Sequence, residues 1–245
     1  MAAAVVGGSG VLAGVASAHL VPGTPAKDVH IGTDTDNAAN PFIQPPGVRA
    51  RLHMANADVV FGRDNNDLLV GRRGNDTVVG GEGADILVGG PDRGHSANGS
   101  DVLLGDEGPD LALWAPGDGN DAVVGDVGND TMVMGPLQVD RHGLVLEHFR
   151  DRLIPRADLG GRPRFGCSVV AAPPEEQLGA QYLVRFLVDG DPVGSVRVKD
   201  AERLVCPSPR EGYAEVARLD GGPVTLHPRR LEALRGPLLR AVVAP

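Results

Sequence analysis

The sequence predicts an all-β fold: a parallel β-solenoid of about eight nine-residue units, followed by a small antiparallel β domain with a C-terminal helix. Three observations predict it. A nine-residue period runs from His53 to Pro136. Every unit of that period has aspartate at its sixth position and an apolar residue at its eighth. The chain as a whole holds 35 glycines but only 3% aromatic residues, which suits a coil with a thin interior better than a thick enzyme core. A period held over so many units outweighs any single motif, because each unit is one structural element that buries its apolar side only by stacking on its neighbours.

Read from the first glycine, the units are GRDNNDLLV from Gly62, GRRGNDTVV from Gly71, GGEGADILV from Gly80, GDEGPDLAL from Gly105, PGDGNDAVV from Pro116 and GDVGNDTMV from Gly125. His53 opens a unit without glycines, HMANADVVF, and Gly89 opens one with about seven extra residues that closes as NGSDVLL. The sixth positions are Asp58, Asp67, Asp76, Asp85, Asp101, Asp110, Asp121 and Asp130. The eighth are Val60, Leu69, Val78, Leu87, Leu103, Ala112, Val123 and Met132. Glycines permit left-handed turns, and the apolar or β-branched residues after each aspartate form a short strand. Turn, strand, turn, strand makes a coil of two units, with successive coils about 4.8 Å apart. Eighth-position side chains then point inward. The aspartates fall into two columns, one holding Asp58, Asp76, Asp101 and Asp121 and the other Asp67, Asp85, Asp110 and Asp130.

Carboxylates stacked at that spacing repel and call for a cation. The ligands on offer are hard oxygens, from carboxylates and turn carbonyls, which favour Ca2+ over zinc or copper, and over magnesium with its demand for a tight octahedron. The alternative is that glycine and aspartate serve only as turn formers, which does not require aspartate at one fixed position eight times. Residues 53 to 136 contain 15 Asp plus Glu against 4 Arg, a net of 4 − 15 = −11, while the whole chain carries −9. Two columns of four aspartates enclose six gaps. Six divalent ions would bring about +12 and nearly cancel that charge.

The pattern resembles the haemolysin-type, or RTX, calcium-binding nonapeptide repeat, G-G-x-G-x-D-x-U-x. The resemblance covers about a third of the chain. It implies a parallel β-roll with several Ca2+ ions held between turns by the eight aspartates and the loop carbonyls. Departures are Arg63, Arg72, Asp106 and Asp126 at the second position, and Asn56 and Asn65 at the fourth. Asparagine tolerates left-handed geometry.

Residues 1–18 are small, apolar and uncharged and end Ala16-Ser17-Ala18, the pattern of a secretory signal peptide without a basic start. Residues 19–52, rich in Pro, Asn, Asp and Thr, read as a linker or N-terminal cap in which Phe42 and Ile43 cover the first rung. Residues 53–136 are the roll and 137–245 the small C-terminal domain.

Along the roll, the seventh and ninth positions should face outward, yet many are apolar. Leu68, Val70, Ile86, Val88, Leu111, Leu113 and Val133 lie on one sheet, and Val59, Phe61, Val79, Val102, Leu104 and Val124 on the other. A sheet bare to water alternates, so at least one outer face is expected to be covered, by the C-terminal region or by a second copy or partner protein. The Leu- and Ile-rich face is the better candidate. Trp114, the only tryptophan, is expected to pack on a neighbouring segment.

Past Leu137, strands are expected at Leu144–Leu146, Ser168–Ala171, Gln181–Val188, Val193–Lys199, Arg203–Cys206 and Ala214–Leu219. Leu231, Leu234 and Leu238 suggest a helix between Pro228 and Val243. Cys167 and Cys206 are the only cysteines, and in an exported protein they predict a disulfide.

No H-E-x-x-H, G-x-S-x-G or phosphate loop occurs. Catalysis is therefore not expected, and the acidic repeats argue against nucleic acid as a partner; no membrane partner is expected either. Two functional classes stay open. One is a secreted, extracellular calcium-binding protein with a structural or interaction role. The other is a secreted hydrolase with an unrecognised site in the C-terminal domain.

Overall fold

The computed structural model describes residues 18–21, 29–31, 57–71, 75–90, 100–115, 118–135, 164–210, 213–230 and 233–234. In chain order the strands are β1 (Ala18–Val21), β2 (Val29–Ile31), β3 (Ala57–Asp64), β4 (Leu68–Val70), β5 (Thr77–Glu82), β6 (Ile86–Val88), β7 (Val102–Glu107) and β8 (Leu111–Trp114). They continue as β9 (Asn120–Val127), β10 (Thr131–Met134), β11 (Phe165–Ala171), β12 (Tyr182–Val188), β13 (Asp191–Lys199), β14 (Arg203–Pro207), β15 (Tyr213–Arg218) and β16 (His227–Arg230). The fold is all-β.

These strands build two eight-stranded sheets, ordered β1-β3-β5-β7-β9-β13-β12-β11 and β16-β15-β14-β10-β8-β6-β4-β2. Through the repeats the chain alternates between the sheets, and every neighbour within a sheet is parallel and in register from one coil to the next, as in Val78↔Leu103 and Leu87↔Ala112. The period of two units per coil produces this register.

All eight eighth-position side chains, from Val60 to Met132, are buried between the sheets. Trp114 joins the same core, its ring centroid 5.4 Å from that of Phe186. A Cβ on Gly194 would stand 2.6 Å from the Trp114 ring, so β13 reaches the tryptophan only because it carries glycine there. The expected packing of Trp114 on a neighbouring segment is what the structure shows.

Three features add to or differ from the expectations. The segment read as a linker or N-terminal cap contributes β1 and β2, which pair parallel with β3 and β4. They satisfy strand edges that would otherwise stand open at the first coil. Phe42 and Ile43 lie outside the described residues, as do residues 1–17 and the strand expected at Leu144–Leu146. Second, the parallel pairing does not stop with the repeats: β13 adds parallel to β9 and β14 parallel to β10, before antiparallel hairpins finish each sheet. Third, the helix expected from Pro228 does not begin there. His227–Arg230 forms β16, antiparallel to β15, because the free edge of β15 offers backbone partners. Beyond it only Ala233 and Leu234 are described, in helical conformation.

The second sheet is buried on both faces. Val70, Ile86, Val88, Leu111, Leu113 and Val133 form an outer apolar layer, against which Leu234 packs. Within a single chain the Leu- and Ile-rich face is thus already covered, without a second copy. On the first sheet Thr77, Val79, Val102 and Leu104 stay half-exposed. Cys167 of β11 and Cys206 of β14 form a disulfide across 39 positions, which ties one sheet to the other. Closing a loop of that length stabilises by roughly 3–4 kcal/mol in the chain-entropy picture.

Candidate metal centre

Two rims run along the coil. Rim one holds the turns Gly62–Asp67, Gly80–Asp85, Gly105–Asp110 and Gly125–Asp130. Rim two holds the turns ending at Asp76, Asp101 and Asp121. Hydrogen bonds show that the sequence grouping of the aspartates is the spatial one. On rim one the backbone N–H of Asp67 donates to Oδ1 of Asp85 at 2.7 Å, that of Asp85 to Asp110 at 2.8 Å, and that of Asp110 to Asp130 at 2.8 Å. On rim two Asp76 donates to Asp101 at 2.8 Å and Asp101 to Asp121 at 2.9 Å. Asp58 lies in β3 opposite His19 of β1; its side chain is outside what is described.

The stacking differs from carboxylates facing one another across a gap. Oδ1 of Asp85, Asp101, Asp110, Asp121 and Asp130 binds the peptide N–H of the preceding coil. The other oxygen turns inward. Oδ2 of Asp85, Asp101, Asp110 and Asp130 is buried and has no hydrogen-bond partner. Each faces the first glycine of its own unit. A Cβ on Gly80 would lie 2.5 Å from Asp85 Oδ2 and 2.6 Å from the carbonyl oxygen of Gly105 in the next coil. A Cβ on Gly105 would lie 2.4 Å from Asp110 Oδ2 and 2.7 Å from the Gly125 carbonyl. Glycine is needed here less for its dihedrals than for the empty space beside it, on which a carboxylate oxygen and a carbonyl oxygen converge.

A carboxylate oxygen buried beside a carbonyl oxygen, with no donor of its own, is costly. The aspartates register the cost. Burial pushes Asp110 up to about 8, partly offset by the N–H of Asp85, and pushes Asp121 up to about 8. Asp85 and Asp130 rise to about 6 for the same reason. Asp101 rises well above the carboxylate range through burial, with Asp121 and Asp76 adding repulsion. Either a proton or a cation relieves such a site. The donors are hard oxygens, one carboxylate with backbone carbonyls, and they fit Ca2+. Among the described residues, no three Asp, Glu, His or Cys side chains converge on one point, so a metal here depends on main-chain oxygen.

The turns have further features that spacing alone does not reveal. Fifth-position asparagines add one bond between coils on each rim: Asn66 Oδ1 accepts the Ala84 N–H at 2.8 Å and Asn75 Oδ1 that of Ser100 at 2.9 Å. At the second and fourth positions of rim one, Arg63, Asn65, Asp106 and Asp126 all adopt positive φ, between 70° and 88°. The non-glycine residues thus take the glycine conformation, because the register with neighbouring coils dictates it. Asp118, at the third position of its unit, is buried and its Oδ2 accepts the Ala115 N–H at 2.7 Å.

With that geometry in view, the family comparison is direct. Residues 56–94 and 117–132 match the RTX calcium-binding nonapeptide repeat, in four copies. The chain carries RTX repeats. Comparison with curated proteins and with solved structures returned no match. The unit from Gly105 falls between the two matched RTX segments, yet its Asp110 occupies the ladder as the others do.

Proposed function

We propose that this is an exported calcium-binding protein with a structural or interaction role, whose RTX roll holds several Ca2+ ions along both rims and gains its order with them. The residues assigned are Asp58, Asp67, Asp76, Asp85, Asp101, Asp110, Asp121 and Asp130, together with the first-position carbonyls. One observation carries the reading: the buried carboxylate oxygens of Asp85 and Asp110, without a hydrogen-bond partner, share with a carbonyl of the next coil a space that only glycine leaves open.

A bound calcium ion would supply the positive charge that these oxygens otherwise lack. The chain does the rest. Oδ1 of each aspartate fixes the spacing of the coils, the glycines leave room, and the left-handed turns aim the carbonyls. Where calcium is scarce, the acidic, glycine-rich repeats bury too little apolar surface to offset the entropy of ordering. Where it is millimolar, sites of about 10⁻⁴–10⁻³ M affinity fill, and binding free energy becomes folding free energy. Such a protein would order on leaving the cell.

Circular dichroism of the full chain at pH 7.5, with calcium and then with excess chelator, tests this. The expected outcome is loss of most β signal on chelation and its return when calcium is restored. Identical spectra, with no calcium bound by equilibrium dialysis, would leave a metal-free solenoid in which protons occupy the buried carboxylates.

A further inference from the structure

The non-repeat segment that follows the roll imitates a repeat. Lys199 of β13 pairs with Val124 and Arg203 of β14 with Thr131, so the turn Asp200–Glu202 lies directly on the last rim-one turn, Gly125–Asp130. Glu202 Oε2 accepts the Asp130 N–H at 2.7 Å, as each Oδ1 does for the aspartate before it. The Arg203 N–H donates to the Asp130 carbonyl at 3.0 Å, the counterpart of Thr131 to Asp110 at 2.9 Å. A Cβ on Gly125 would lie 2.5 Å from Asp130 Oδ2 and 2.1 Å from the Asp200 carbonyl oxygen. Thus Asp200 stands where the repeats place their first glycine, and Glu202 where they place aspartate, in a turn three residues shorter.

We infer that Asp130, the Asp200 carbonyl and Glu202 form an additional divalent-cation site, for calcium, between the last repeat and the C-terminal segment. The proposal rests on the calcium reading above. One buried oxygen points to a ligand there. Asp130 is 3% exposed, and its Oδ2, buried and without a hydrogen-bond partner, borders with the Asp200 carbonyl oxygen the space beside Gly125. The turn that carries the carbonyl is fixed in place. Asp200 has φ 48°, and Gln181 grips it twice, donating from Nε2 to Oδ1 at 2.7 Å and accepting the Asp200 N–H at 3.1 Å. Glu202, unlike the repeat aspartates, is exposed. Its site is open to solvent on that side and exchanges its ion faster than the interior ones. Because β14 also carries Cys206, a cation here fastens the repeats to the disulfide-tied end of the molecule.

The test compares the full chain with Glu202→Gln by equilibrium dialysis against calcium. The amide keeps an acceptor for the Asp130 N–H but removes the charge. The expected result is one bound ion fewer per chain, or one equivalent weakened at least tenfold, with the others unchanged. Glu202→Asp should retain the full count. An unchanged count and affinity in Glu202→Gln would overturn the proposal while leaving the repeat sites standing; a native chain that binds no calcium would remove both. A crystal structure of the native chain grown in calcium gives the same decision without a variant. Density shared by Asp130 Oδ2 and the Asp200 carbonyl supports the site, and filled repeat gaps beside an empty last one refute it.

Discussion

The two rims are built from the same nine-residue unit but are held differently. On rim one the turns stack backbone on backbone. The Gly83 N–H donates to the Glu107 carbonyl and the Gly108 N–H to that of Val127, each at 2.8 Å. A Cβ on Gly108 would stand 1.5 Å from the Gly83 carbonyl oxygen. Rim two is interrupted by the insertion after Gly90. Ahead of it the Gly71 N–H still donates to the Val88 carbonyl at 2.9 Å, but a Cβ on Gly89 would approach Asp101 Oδ2, and one on Gly90 the Asp118 carboxyl. The rims also end differently. Rim one passes to Glu202, whereas opposite Asp121 the next strand presents Val196.

The largest expected effect follows from that contrast. Gly108→Ala places a methyl group inside a neighbouring peptide at φ 131°, and should destabilise the calcium-loaded protein by about 3 kcal/mol or more. Gly89→Ala, which meets the Asp101 side chain rather than a peptide, should cost less. Thermal melting of both in saturating calcium measures the difference; equal losses would mean that the rims are equally rigid.

A second comparison sets protons against calcium. Asp110 on rim one and Asp121 on rim two are both raised to about 8 by burial, from an ordinary value near 3.8. A raised folded-state value contributes stability that is fully present below the unfolded value, and that is lost as pH rises through the folded one. The calcium-free protein should therefore melt at progressively lower temperature between about pH 4 and pH 8. With calcium the slope should reverse, and calorimetry in buffers of different ionisation enthalpy should detect protons released on binding at pH 7. Asp110→Asn separates the two effects. It should raise calcium-free stability at pH 8 by a few kcal/mol, to order of magnitude, and lose calcium. Calcium-free melting independent of pH would break this account on both rims.

The smallest expected effect concerns the left-handed arginine of rim one. Arg63 is exposed at φ 88°, and Arg63→Gly should stabilise by about 1 kcal/mol. Chemical denaturation in excess calcium is the measurement, and no gain would mean that the long side chain offsets its backbone strain by packing.

Much of this architecture is legible in the sequence, because a fixed period converts position directly into place. The inward eighth-position row, the grouping of aspartates by alternate units, the covered Leu- and Ile-rich face and the Cys167–Cys206 pair all follow from residue type at a given spacing. What escapes is whatever keeps the geometry without keeping the count. The Asp200–Glu202 turn is three residues short, so a nine-residue frame passes over it. The remaining signal is local, an acid followed two residues later by a core position, as in Glu202-Arg203-Leu204 against Asp130-Thr131-Met132. β1 and β2 lack glycines altogether and are recruited by open strand edges. The leucine spacing near the C-terminus suggests a helix, but the edge of β15 takes His227–Arg230 as a strand.

The directed ladder of peptide N–H groups and aspartates makes the molecule sensitive to parity. One nonapeptide carries the chain from one rim to the other, so inserting a single unit between Asp76 and Asp101 would swap the sheets for everything downstream. Asp101 and Asp121 would then continue the column of Asp67, and Asp110 and Asp130 that of Asp76, while the contacts among the downstream strands stay as they are. Two units restore the original columns. The roll can therefore lengthen or shorten by eighteen residues at a time without exchanging its rims.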